Sequence, residues 1–129
     1  MARVLIVEDE TNLRMLYRNM LGASGYEIME VGSGAKALEV LSHKKIDAVV
    51  LDLGLPDIGG LQLMNEILAR QPGLPIIITT DSDEVHKDSL MSWGAIASVA
   101  KSSGFEELKK TLARVIPTAS GMQNKSAAL

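Results

Sequence analysis

The chain has 129 residues, 47% of them hydrophobic and 22% charged, with a formal net charge of −3 and no cysteine. That length suffices for one domain with a proper core, the mild acidity gives no electrostatic ground for binding nucleic acid or a membrane, and disulfides and thiolate metal sites are excluded. The longest apolar runs, such as residues 48–51, are far too short to span a bilayer, and Met1 leads straight into a strand-like run rather than a signal peptide, so a cytoplasmic protein is expected.

Residues 3–7 open the chain as an almost continuously apolar run, which predicts a strand covered on both faces. Leu13, Leu16, Tyr17 and Met20 then recur at helical spacing and predict the buried stripe of a first helix. Residues 26–31 carry Glu27 and Glu30 and predict an edge strand, and Leu38 with Leu41 marks a second helix. Residues 46–51 form another strand-like run, continuously apolar over 48–51, that ends at Asp52; Met64, Ile67 and Leu68 predict a third helix, and residues 75–79 a fourth strand. Residues 83–93 make a poorer helix, with mainly Val85, Leu90 and Trp93 to bury and Trp93 expected to pack at its end. Residues 96–100, built from small side chains, are the weakest strand, and Phe105, Leu108, Leu112 and Ile116 mark a last helix. Gly22, Gly25, Gly34, Pro56, Gly59, Gly60, Pro72, Gly73 and Gly94 punctuate the joints. Strand and helix alternating five times imply a doubly wound α/β sheet with right-handed crossovers. The domain is expected over residues 1–117, with 118–129 a flexible C-terminal tail or truncated linker, and His43 and His86 at the surface.

In an open α/β sheet, ligands bind beyond the carboxyl ends of the strands, so the residues that terminate the apolar runs carry the most information. The first run ends in Glu8 and Asp9, the third in Asp52, the fourth in Thr80 and Asp81, and the fifth in Lys101. Two carboxylates at ~4 Å repel by about 4 kcal/mol at an effective dielectric of 20, so either pKa values rise or a cation binds. Mg²⁺ suits such a rim, because it takes oxygen ligands, often only one or two carboxylates, and keeps waters that a phosphate can displace. Any one of these acids is equally well explained by a strand leaving the core; the whole set is not.

The segments Val4 to Glu10, Val49 to Gly60, Pro75 to Thr80, and Gly94-Ala95 followed by Lys101 together resemble the bacterial response-regulator receiver domain, over about residues 3–116. The resemblance implies a flavodoxin-like five-stranded parallel sheet of order 2-1-3-4-5 with five helices on its two faces. It implies that Asp52 is the phosphoacceptor, that Asp9, Asp52 and the Gly54 backbone carbonyl hold Mg²⁺ (or Mn²⁺ in its place), and that Glu8 acts on the metal through water. Thr80 matches the hydroxyl that contacts a phosphoryl oxygen, and Lys101 the lysine that pairs with the acceptor and then with the phosphate. The implied partners are a histidine kinase or phosphotransfer protein and an output domain or target protein, with homodimerisation through the last helices and strand an open option. Such a domain is no enzyme beyond self-catalysed phosphoryl transfer and slow autodephosphorylation.

Four features depart from that pattern. Ser102 stands where a proline in a cis peptide normally follows the lysine; a cis non-proline bond costs roughly 3–4 kcal/mol, so a trans bond with a shifted loop is expected. Ser98 replaces the aromatic whose rotation usually couples to the switch hydroxyl. Asp81 replaces a small residue and would narrow access to Asp52, repel the phosphoryl group, or turn outward as a helix cap with Ser82 and Asp83, the last being favoured. The segment from Thr80 to Gly94 is about one residue short for the family. These departures motivate a rival reading, a pseudo-receiver that keeps the fold as an interaction module without phosphorylation. An aspartate-based phosphatase ranks lower because Gly54 stands where it needs a second aspartate, and a flavodoxin because Glu8, Asp9 and Glu10 would repel phosphate after the first strand.

Overall fold

The structure is a computed structural model, described over residues 1–81 and 87–116. Its elements alternate along the chain: β1 (Arg3–Val7), α1 (Thr11–Gly22), β2 (Glu27–Val31), α2 (Gly34–His43), β3 (Ala48–Asp52), α3 (Gly60–Arg70), β4 (Ile76–Thr80), α4 (Lys87–Ser92), β5 (Ala97–Ala100), a 3-10 turn over Lys101–Ser103, and α5 (Gly104–Val115). All strand pairings are parallel and the order is β2-β1-β3-β4-β5. Each expected strand is present within two residues of its expected bounds, and the acid-bearing β2 lies at an edge.

Alternation along the strands divides the core into two layers. Leu5, Val7, Val49, Leu51, Ile76 and Ile78 point to one face, where Ala37 and Leu41 of α2 and Leu63, Met64 and Ile67 of α3 cover them. Val4, Ile6, Ala48, Val50, Ile77 and Val99 point to the other, under Tyr17 and Leu21 of α1 and Leu108 and Leu112 of α5. β1, β3 and β4 have residues buried toward both layers, which is why their sequences are continuously apolar.

Two expectations about burial are corrected. The face of α1 that meets the sheet runs through Tyr17 and Leu21, whereas Leu16 and Met20 are 48% and 37% exposed. Each of those precedes a buried residue by one position, a rotation of about 100° around the helix, and that turns it off the sheet. Trp93 does not pack: α4 ends at Ser92, Trp93 lies in the turn that Gly94 closes at φ 124°, and it is 55% exposed. Leu90 is buried as expected, while Val85, the Ser82–Asp83 cap, His86 and the expected tail lie outside the described residues. Among the described residues no helix is long and apolar enough to cross a membrane.

Candidate phosphoacceptor site

β3 is buried along its whole length and delivers Asp52, 4% exposed, at its last position. Glu8 follows β1 and is 2% exposed; its backbone N–H still donates to the Val31 carbonyl at 3.1 Å, so the strand geometry carries through to the acid. Asp9, one residue on, is exposed. One oxygen from each of Glu8, Asp9 and Asp52 can be chosen so that all three lie within 4.8 Å of one another.

A single ammonium is shared among the acids at this rim. Lys101 Nζ lies 3.0 Å from Glu8 Oε1, 3.3 Å from Asp52 Oδ1 and 3.5 Å from Asp81 Oδ1. Burial works against the Lys101 charge, but Glu8, Asp52 and Asp81 outweigh it and hold the ammonium above the ordinary lysine pKa. Burial pushes the Glu8 carboxyl up, and the Asp52 charge adds to this, against the opposing pull of Lys101 and of the Glu10 N–H that donates to Glu8 Oε2. Asp52 Oδ1 also accepts the Gly54 N–H at 3.1 Å, which bends the loop back over the carboxylate.

The backbone around these side chains is held by close contacts. A Cβ on Gly60 would lie 2.7 Å from Leu53 Cα, so only glycine lets the start of α3 approach the end of β3 this closely. After β5 the chain turns through Lys101–Ser103, Ser103 Oγ donates to the Ala100 carbonyl at 2.7 Å, and Gly104 at φ 83° starts α5. No cis peptide occurs among the described residues, so the Lys101–Ser102 bond is trans, as the missing proline suggests.

The remaining expected residues fall as follows. Thr80 is the last residue of β4, 3% exposed, at the same rim as Asp52. Ser98 sits on β5 in register with Ile78, two residues short of that rim. Ser102 is exposed on the turn. Asp81, with a side chain 84% exposed, makes its described ionic contact with Lys101.

Three residues not foreseen in the sequence complete the surroundings. Arg14 folds back from α1 to donate to the Glu8 and Asp9 carbonyls at 2.8 and 3.2 Å, clamping the turn that carries both acids. Asp57 accepts the Gly34 and Ala35 N–H groups at 3.1 and 3.2 Å, which ties the loop after β3 to the start of α2 and lowers the Asp57 pKa. Tyr17, 4% exposed, shares the wall of a cavity with Thr79 and Lys101, and burial pushes its phenol up to about 12. Only Tyr17 had a sequence signal: a phenol in an apolar stripe needs a polar partner when buried.

The family profile of the response regulator receiver domain matches residues 4–113. The transcriptional regulatory protein GlrR of Escherichia coli is 40% identical over 79 residues, 61% of this chain, which spans only 18% of that protein's length. The response regulator protein TrrA of Thermotoga maritima, solved in complex with Mg²⁺-BeF, is 35% identical with a TM-score of 0.83, covering 90% of this chain and 100% of TrrA. TrrA solved in complex with the histidine kinase ThkA is 36% identical with a TM-score of 0.81, covering 90% of this chain and 99% of TrrA.

Proposed function

The chain belongs to the response regulator receiver domain family of two-component signalling, and from that premise we propose that Asp52 accepts a phosphoryl group from a histidine kinase or phosphotransfer protein. The observation that carries this reading is the meeting of Glu8, Asp9 and Asp52 within 4.8 Å, with Lys101 Nζ 3.3 Å from the acceptor. Phosphoryl transfer passes through a loose transition state, so positioning and charge neutralisation supply most of the catalysis.

An Asp52 carboxylate oxygen attacks the donor phosphorus in line; the new O–P bond forms as the donor's bond to phosphorus breaks, and the donor leaves with that electron pair. Lys101 exchanges part of its contact with Glu8 and Asp81 for the incoming phosphoryl oxygens. The Thr80 hydroxyl donates to one of those oxygens, and the acyl phosphate's charge of about −2 draws the end of β4 inward.

The donor set fits a hard divalent cation: three carboxylates converge, and the buried Glu8 is destabilised as an anion by burial and by Asp52. Asp9, Asp52 and the Gly54 carbonyl would hold Mg²⁺, with Glu8 acting through water, and Mn²⁺ would serve in its place. Bound there, the ion supplies the positive charge that lets an anionic donor approach an anionic acceptor.

The chain acts as a stoichiometric phosphoacceptor in the cytoplasm, not as an enzyme with turnover, and its phosphorylation switches a contact with an output domain or target protein. The kinase complex of TrrA supports the first partner, and GlrR, a regulator much longer than this chain, supports the second. Incubation with acetyl phosphate and Mg²⁺ should raise the mass by one phosphate, and Asp52→Asn should abolish the gain. Absence of any adduct with small donors and with a panel of histidine kinases would sink the proposal.

A further inference from the structure

Arg14 is the cation beside the acidic rim that the phosphoryl-transfer scheme leaves unused. It stands in the first turn of α1, and its guanidinium folds back over the turn that joins β1 to that helix. Nη1 donates to the Glu8 carbonyl at 2.8 Å and to the Asp9 carbonyl at 3.2 Å, and Nη2 donates to Thr11 Oγ1 at 3.2 Å. Nε lies 3.4 Å from Glu30 Oε1 on the edge strand β2. Glu30 follows Ile28 by two residues, and Ile28 packs on the α1/α5 layer, so the Glu30 side chain leans to the face of the sheet that carries α1. Charged as it is, the Arg14 side chain is only 18% exposed.

The Glu8 carbonyl belongs to the peptide before Asp9 and the Asp9 carbonyl to the peptide after it. Peptide groups are planar, so holding both carbonyls fixes the backbone at Asp9 and with it the direction in which its side chain leaves the chain. That matters at Asp9 because its side chain is exposed and no packing holds it. α1 also starts without a side-chain cap, since Glu10 at its N-cap position makes no such bond. Room for the guanidinium comes from Gly32, just after β2, where a Cβ would lie 2.9 Å from Arg14 Nη1. A planar fork of donors can engage two carbonyls, a hydroxyl and a carboxylate in one fixed orientation, which the point charge of a lysine cannot.

We propose that Arg14 is a positioning residue for the divalent cation of this rim, acting through the backbone of Glu8 and Asp9. This rests on the Mg²⁺ reading above. Charge and position act in opposite directions here. A guanidinium beside the rim repels a dication, so its loss as a charge alone would tighten Mg²⁺ binding. Its loss as a clamp weakens binding, because Mg²⁺ demands near-ideal geometry and a ligand already aimed needs no ordering when the ion arrives.

Arg14→Gln removes both the fork and the charge, whereas Gly32→Ala keeps every charge and pushes the guanidinium from its place. Mg²⁺ is titrated into each protein without a phosphodonor, and the amide NMR shifts of the rim residues give the dissociation constant. Arg14→Gln should weaken Mg²⁺ binding about tenfold and Gly32→Ala about two- to threefold, at and below the lower end for residues that support a metal ligand. The double variant should bind no more weakly than Arg14→Gln, since Gly32 acts through the guanidinium. Before metal is added, the Asp9 and Glu10 amide shifts should already move in both single variants. The Mg²⁺ concentration for half-maximal phosphorylation by acetyl phosphate should rise by the same factors. Unchanged or tighter Mg²⁺ binding in Arg14→Gln, or a further loss in the double variant, overturns the role of Arg14 while leaving the metal site standing. Should Arg14→Gln fail to fold, Gly32→Ala decides alone, and a dissociation constant equal to the parent's overturns the proposal. A parent protein whose amides do not respond to Mg²⁺ overturns the metal reading and this inference together.

Discussion

Asp81→Asn isolates the charge that most distinguishes this rim while keeping the side chain's shape. Asp81 Oδ1 and Asp52 Oδ1 are joined through Lys101 Nζ at 3.5 and 3.3 Å, so they lie no farther than about 6.8 Å apart. A donor phosphoryl group of charge about −2 at that distance from Asp81 is repelled by roughly 1.2 kcal/mol in water. Screening with a Debye length of about 8 Å reduces this to ~0.5 kcal/mol at physiological ionic strength, whereas a length of about 30 Å at 0.01 M leaves ~1 kcal/mol. Asp81→Asn should therefore speed phosphorylation by acetyl phosphate about two- to threefold at physiological salt and about fivefold at 0.01 M. Because the Asp81 side chain is 84% exposed, its ion pair with Lys101 contributes at most about 1 kcal/mol to stability, and the urea midpoint should barely move. The assay is the initial rate of mass gain at the two ionic strengths, with urea titrations alongside. A gain that ignores salt would refute the electrostatic reasoning. A loss of rate would show that Asp81 aids Lys101 more than it hinders the donor.

Leu21→Ala should cost about 2–5 kcal/mol in chemical denaturation, since Leu21 is fully buried under the sheet, and Met20→Ala under ~0.5 kcal/mol; similar costs would contradict the described face of α1. Asp57 has a lowered pKa through the Gly34 and Ala35 N–H bonds, so its stabilising contribution is fully present above the ordinary aspartate value and is lost as pH falls through the depressed folded value. Asp57→Asn should lower the urea midpoint at pH 7 and flatten its fall below about pH 4. An unchanged acid limb would remove Asp57 from that role.

The strands, the two core layers and the acid set were legible because they follow from local pattern. Three nearly uninterrupted apolar runs could only be strands covered on both faces, and their last residues had to share one rim. The stripe of α1 was misread by one position because Leu16 and Met20 are as apolar as Leu21, and composition cannot tell which of two adjacent apolar stripes meets the sheet. Asp57 and Arg14 escaped notice for a different reason. Asp57 acts on backbone 22 and 23 residues earlier, and Arg14 on carbonyls whose direction only the turn defines. The contact of Asp81 with Lys101 escaped notice as well, because the end of β5 brings the lysine near and no local spacing reveals that.

The sharing of Lys101 has a consequence for the molecule's charge distribution. The whole chain carries 13 basic and 16 acidic side chains, a formal excess of −3. Set aside Glu8, Asp9, Asp52, Asp81 and Lys101, and twelve of each sign remain, so the rest of the chain is formally neutral. The described rim at this end of the sheet is thus an anionic pole whose formal charge of −3 equals that of the whole chain. Its far field draws divalent cations toward that pole and turns anionic molecules away from it, so a docking protein must bring its own positive charge to deliver a phosphoryl group there.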